Sequence, residues 1–239
     1  MSFIGDFFNI IFYQPLLKAL VLLYQYLPGH DFGIAVIVLT VLIKLILYPL
    51  GAKGIKSQKA LQELQPKIKE IQARFKDDKT RQAKETMDLY KREKINPFSG
   101  FSLLIIQLPI LFALFKVFGS GIKAMSGVNT TFFGLINLAE TSVILVVLAG
   151  IAQFFQAKMM TPSTPSTRLG TSRSGQAGQA PDFSGMMQKQ MLYFFPVFTV
   201  FILWRMPSAI ALYWLTTTLF TIFQQYITLK KKKNDSGKS

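Results

Sequence analysis

The chain has 239 residues, half of them hydrophobic, with 27 Lys and Arg against 12 Asp and Glu and a mean hydropathy of +0.33. That composition is too apolar for an ordinary soluble domain of this size and points to a membrane protein. The absence of cysteine excludes disulfides, thiolate metal sites, cysteine nucleophiles and a lipid-modified N-terminal cysteine.

Residues 1–30, MSFIGDFFNIIFYQPLLKALVLLYQYLPGH, lack the basic start and small-residue cleavage site of a secretory signal and the Arg/Ser bias of a transit peptide. They are read as part of the mature protein. Asp6, Asn9, Gln14, Lys18 and Gln25 interrupt the apolar run, Gln14, Lys18 and Gln25 share one helical face, and Pro15 breaks the pattern. This predicts an amphipathic helix lying in the membrane interface rather than a sixth span.

A spanning helix needs roughly 20 mostly apolar residues. Residues 31–52 meet that requirement as the first span, which Pro49 ends. Residues 53–96 are strongly charged and carry Leu61, Leu64, Ile68, Ile71 and Phe75 at alternating spacings of three and four, the seam of a helical pair. Ala83, Met87 and Tyr90 continue a seam after the break at residues 77–80, and Pro66 restarts the first helix. An antiparallel helical hairpin results, far longer than a plain connection between two spans requires.

Residues 97–118 form the second span, with Gln107 in its middle and a kink at Pro109; 119–138 form an extracytoplasmic loop, and 139–160 the third span. Residues 161–186 are a Pro/Ser/Thr/Gly-rich linker with almost nothing to bury, expected to be disordered. Residues 187–204 are the fourth span, with Pro196 within it and Pro207 just beyond it. Residues 205–228 are the fifth, carrying Tyr213, Trp214, Thr216, Thr217, Thr218, Gln224 and Gln225, and 229–239 are a short basic tail.

Orientation follows from the basic residues between spans. Residues 53–94 hold 13 Lys and Arg, 158–189 four and 230–239 five, whereas the opposite side has only Lys18, Lys116, Lys123 and Arg205. The N-terminus is therefore expected outside and the C-terminus in the cytoplasm. The positive charge is then explained by an anionic leaflet, at about 1 kcal/mol per cation, without a dedicated nucleic-acid ligand.

Lys44 is the one remaining cation. Near a helix centre it costs about 2.5–3.5 kcal/mol on insertion scales, so it is expected to face protein, water or a partner. Snorkelling to the interface is the plain explanation, but Thr40, four residues earlier, shares its face. With Gln107, Gln153, Gln156 and the polar residues of the fifth span, the pair suits a hydrated cavity. No span has a central Asp or Glu; Glu140 sits at an edge and Asp31 just outside. A transporter or channel would also need a polar cavity, but no internal repeat is visible; a structural scaffold is a second alternative. His30 is the single histidine, and there is no P-loop, nucleophile elbow or metal motif, so neither cofactor nor covalent catalysis is expected.

Five stretches carry a resemblance: YQPLLKAL (13–20), DFGIAVIVLTVLIKLILYPL (31–50), LQPKIKEIQ (64–72), LYKREKINPFSGFSLLIIQLPILFALFKVF (89–118) and FPVFTVFILWRMPSAIALYWLTTTLFTIFQQYI (195–227). In this order and spacing they resemble the YidC family of membrane-protein insertases. The resemblance implies an all-α integral membrane protein of the bacterial plasma (inner) membrane, with five transmembrane helices around a hydrophilic groove, an N-terminal interfacial helix and a cytoplasmic helical hairpin. It implies a groove for nascent membrane proteins lined by Lys44, Thr40, Gln107, Tyr213, Trp214 and Thr217. The hairpin, with Leu61, Leu64, Ile68, Ile71, Phe75, Met87 and Tyr90, would receive clients, the ribosome, signal-recognition machinery or the Sec translocase. Clients would pass polar segments through the groove, release apolar spans into lipid and receive help in folding. One departure from the family pattern is Lys44, where an arginine is usual; the large extracytoplasmic domain found in many Gram-negative members is also not expected within these 239 residues.

Overall fold

In hydrocarbon a backbone must satisfy its own hydrogen bonds, and this apolar chain accordingly winds into helices. The computed structural model describes residues 3–96, 99–121, 128–160 and 190–236; the whole linker expected at 161–186 lies outside them, as does the start of the fourth span expected from 187. Helix α1 (Phe3–Phe8) passes through a π turn (Asn9–Tyr13) into α2 (Gln14–Tyr26). Then come α3 (Phe32–Ile46), α4 (Tyr48–Glu63), α5 (Gln65–Arg74), α6 (Lys79–Arg92) and α7 (Ser99–Lys116), which ends in a second π turn, Val117–Gly121. After strands β1 (Thr131–Phe132) and β2 (Ile136–Asn137) come α8 (Val143–Met160), a third π turn (Gln190–Phe194), α9 (Phe195–Leu203) and α10 (Ser208–Ser236).

The surface of α8 identifies the solvent. Leu145, Val146, Ala149, Gly150 and Ala152 are buried, while Ile144, Val147, Leu148, Ile151 and Phe155 are exposed on the other side. A helix in water turns a polar face outward; here the outward face is as apolar as the inward one. Exposed Leu45, Ile46, Phe112, Phe201 and Phe223 extend this apolar surface, which is far larger than a soluble monomer tolerates. Helix α10 is the central element: residues 208–213 are all buried, and it packs against α8, α3 and α4. Val200 of α9 sits where a side chain at Gly150 would project, so glycine lets α8 and α9 approach closely.

Among the described residues, two helices, Gly5–Tyr26 and Val143–Met160, are each long and apolar enough to cross a membrane, and the bent pair Phe32–Ile46 and Tyr48–Glu63 adds a third if it is one span. The apolar helices Ile105–Gly119 and Leu192–Leu203 are shorter. The N-terminal stretch expected to lie in the interface thus has spanning length. Its Gln14, Lys18 and Gln25 face outward, while Leu20 is buried in the core.

The run 31–52, expected as one span, is divided. Helix α3 stops at Ile46, and the chain turns by 68° into α4. Pro49 explains the break: it has no N–H to continue the ladder and its ring crowds the preceding turn, yet it is well suited to the first turn of the next helix. A similar restart separates α4 from α5 at Leu64, just before Pro66. Helix α10 runs on to Ser236, so the basic tail expected from residue 229 begins as helix.

Where α3 starts, residues 128–142 are tied to the helices. The loop holds a β-hairpin, an element absent from the all-α expectation, in which Phe132 pairs with Ile136 and Thr131 with Asn137. Asp31 joins it to α3: Oδ1 accepts from the Ile34 N–H at 3.0 Å and Oδ2 from the Phe133 N–H at 2.6 Å. Ser208 N–H and Oγ both donate to the Glu140 carbonyl, and Ala209 N–H donates to the Leu138 carbonyl. The first amides of α10 are thereby satisfied by this loop.

Candidate functional site

Phe32, Val36, Thr40 and Lys44 follow one another at four-residue spacing and are all buried, making one stripe on the inward face of α3, the helix that packs against α2 and α10. Only 9% of the Lys44 surface is accessible, and its side chain forms no hydrogen bond or ion pair with any described residue. Its position differs from a mid-helix one: because α3 ends at Ile46, Lys44 lies in the last turn. There the unpaired carbonyls and the negative end of the helix dipole favour a cation, typically by about 0.3–1 kcal/mol. This offsets part of the cost of placing a charge at that depth.

Thr40 spends its proton within its own helix, Oγ1 donating to the Val36 carbonyl at 2.6 Å. Thr216, Thr218 and Thr221 do the same toward Leu212, Trp214 and Thr217 at 2.8 Å. These hydroxyls retain acceptor capacity but no free donor. Thr217 is the exception on α10: its buried Oγ1 has no well-formed hydrogen bond, although it lies one turn beyond Tyr213 and within reach of the phenol.

Gln107 of α7 donates its amide to the Tyr213 hydroxyl. Tyr213 is 2% exposed, and the other end of the Gln107 amide, Oε1, is buried without a partner. The structure therefore brings Gln107 and Thr217 together around the Tyr213 phenol, with Gln107 Oε1 and Thr217 Oγ1 both buried without a well-formed hydrogen bond among the described residues. Such groups cost free energy unless water or another polar group reaches them. Trp214, the next residue, points elsewhere: its Nε1 donates to Gln153 Oε1 of α8 at 3.1 Å. One residue is a 100° turn on a helix, so Tyr213 faces α7 while Trp214 faces α8. An indole N–H within a span requires an acceptor, which was the available signal for Gln153.

Helices α5 and α6 run antiparallel, joined through residues 75–78, as shown by Lys67 against Glu93 at 2.5 Å and Gln82 Nε2 donating to the Gln72 carbonyl at 3.1 Å. Leu64 and Ile68 are buried, and Leu61, Ile71 and Phe75 half-buried, with Arg81 stacked 4.8 Å above the Phe75 ring. On α6 Tyr90 is half-buried as expected, but Ala83 and Met87 are exposed, and Gln82, Glu85, Thr86, Asp88 and Leu89 are half-buried. Sequence spacing ignored Gln82 and Thr86 because they are polar, yet their hydrogen bonds to Gln72 and to their own helix let them sit in the contact.

The fold and site define an α-helical membrane protein with a buried lysine and a partly unsatisfied polar cluster inside its helices. The chain belongs to the family described as 60Kd inner membrane protein, which matches residues 22–235. It is 39% identical over 203 residues to a protein of Fusobacterium nucleatum named membrane protein insertase YidC, covering 84% of this chain and 87% of that relative. A relative of the same name from Clostridium tetani is 35% identical over 210 residues, covering 88% of this chain and 87% of its own length. One from Syntrophus aciditrophicus, also so named, is 35% identical over 218 residues, 91% of this chain but only 36% of that longer protein. The chain thus spans most of its shorter relatives and about a third of the longer ones.

Proposed function

We propose that this chain is a membrane protein insertase that works by solvation rather than covalent chemistry. Similarity to named insertases along almost the full length of the shorter relatives supports the activity and does not favour a transporter or channel. The observation that carries the mechanism is Lys44: a buried cation in the last turn of α3 with no carboxylate partner among the described residues. Moving a polar segment through hydrocarbon leaves its groups unsatisfied at several kcal/mol each. A hydrated groove containing Lys44, the acceptor oxygen of Thr40, Gln107 Oε1 and the Thr217 hydroxyl replaces part of that lost water. An acidic client segment is drawn to Lys44, and hydrophobic burial of the client's own span in lipid drives completion.

In this reading five spans enclose the groove: 31–52, 97–118, 139–160, 187–204 and 205–228. The N-terminus is outside and the C-terminus cytoplasmic in a bacterial plasma membrane. Residues 1–30 lie in the interface, 119–138 are extracytoplasmic, and 161–186 and 229–239 are cytoplasmic. Residues 53–96 stand in the cytoplasm as the α5–α6 pair with the part of α4 beyond residue 52 as its lead-in, where client, ribosome, signal-recognition machinery or Sec translocase makes first contact. Trp214 contributes from the α8 side of α10. Purified protein in proteoliposomes, with no other component, tests the reading. A small client with a short acidic external tail becomes protease-protected in proportion to the amount of insertase, whereas protection equal to that in empty liposomes rejects the reading.

A further inference from the structure

The 68° bend between α3 and α4 joins the helix that carries Lys44 to the arm that carries α5 and α6. Pro49 accounts for the break in the ladder but not for the angle, since a broken helix is free to swing. Three observations fix it from outside. Gln224 of α10 is 4% exposed, and its Nε2 donates to the Tyr48 carbonyl, in the first residue of α4, at 2.8 Å. A side chain at Gly51, one turn further, would bring its Cβ to 2.8 Å from Gln224 Nε2 and 2.9 Å from Oε1. The turn is also covered, because Gly51, Gly54 and Ile55 are buried and α4 packs against both α7 and α10.

We propose that Gln224 is a positioning residue, a latch from α10 that sets the angle at which α4 leaves α3, with Gly51 supplying the space its amide occupies. A buried amide hydrogen-bonded to a backbone carbonyl holds direction as well as distance, and losing either partner leaves the other buried and unsatisfied. Lys44 lies four residues before Tyr48, so the same latch holds the last turn of α3 in register with α10. The link from this angle to client transfer rests on the insertase reading; the angle itself does not.

The test uses the full chain in liposomes. The absence of native cysteine allows spin labels at Gln58→Cys on α4 and Leu148→Cys on α8, both at exposed positions, and their separation is read by double electron–electron resonance. The parent gives one narrow distance. Gln224→Ala removes the donor, and Gln224→Glu keeps the shape while replacing the donor with an acceptor; both lose the single narrow distance. Gly51→Ala does the same by displacing the amide, but adds nothing in the Gln224→Ala background, where its methyl has room. A parent-like distance in both Gln224 variants overturns the latch, as does a Gly51→Ala effect of equal size in both backgrounds. Because no client is present, these outcomes are independent of whether the protein inserts one.

Discussion

Gln107 and Tyr213, 106 residues apart in sequence, are joined side chain to side chain, tying α7 to α10. Two further polar atoms of these residues and their neighbour, Gln107 Oε1 and Thr217 Oγ1, are buried without a well-formed hydrogen bond among the described residues, so the bond is both a packing contact and part of a polar cluster.

Interhelical hydrogen bonds of this kind average about 0.6 kcal/mol and reach about 1.7 kcal/mol. A double-mutant cycle of Gln107→Leu and Tyr213→Phe, followed by reversible unfolding in mixed micelles, is expected to give a coupling in that range. The double variant is then less destabilised than the sum of the single ones. A coupling of zero would show that the two side chains are neighbours without being partners.

Asp31 does two jobs with its two oxygens, capping α3 and holding the β-hairpin turn at Phe133, whose φ of +50° is a conformation that bulky residues avoid. Asp31→Ala removes both bonds, and the loss of cap and tie together is about 2 kcal/mol. Asp31→Asn, an equally good cap, retains the bond to Ile34 but cannot accept from Phe133, and costs about half as much. Thermal unfolding of the three proteins in one detergent provides the comparison.

The α5–α6 pair separates a visible contact from an energetic one. Lys67 and Glu93 form an ion pair with more than a third of each side chain exposed, so Glu93→Gln changes stability by less than about 0.5 kcal/mol. Ile68 is 6% exposed, and Ile68→Ala falls near the low end, about 2 kcal/mol, of core truncations. Hydrogen-exchange protection of α5 and α6 drops for Ile68→Ala and stays unchanged for Glu93→Gln.

The two tryptophans report different environments. Trp204 is 52% exposed at the end of α9, whereas Trp214 is half-buried against Gln153. With Trp214→Phe the remaining fluorescence is strongly quenched by brominated lipid; with Trp204→Phe it is quenched less. Equal quenching contradicts the placement of Trp214 against α8.

Patterns local to one helix were legible in the sequence. Thr40 and Lys44 share a face because four residues make just over one turn, and the five seam positions of 61–75 are all buried or half-buried. Pairings across the chain were not legible. Gln107, Tyr213, Gln153, Trp214 and Gln224 stand out as polar or amphipathic residues in apolar runs, but nothing in their spacing says that Gln107 meets Tyr213, Trp214 meets Gln153, or Gln224 meets a backbone carbonyl. Pro49 marked where a helix ends but not that another starts at once, since proline is compatible with both. That ambiguity moved Lys44 from the middle of an expected span to the last turn of α3, where the helix end itself helps to hold the charge.

The central claim is that the charge of Lys44 works on the client, and charge reversal tests it most directly. In proteoliposomes, insertion of a client with an acidic tail is expected to proceed with Lys44→Arg, which keeps the cation in a bulkier planar form. It is expected to weaken with Lys44→Ala and fail with Lys44→Glu, while a client with a neutral tail responds less to all three. Normal insertion of the acidic client by both Lys44→Ala and Lys44→Glu would contradict the account.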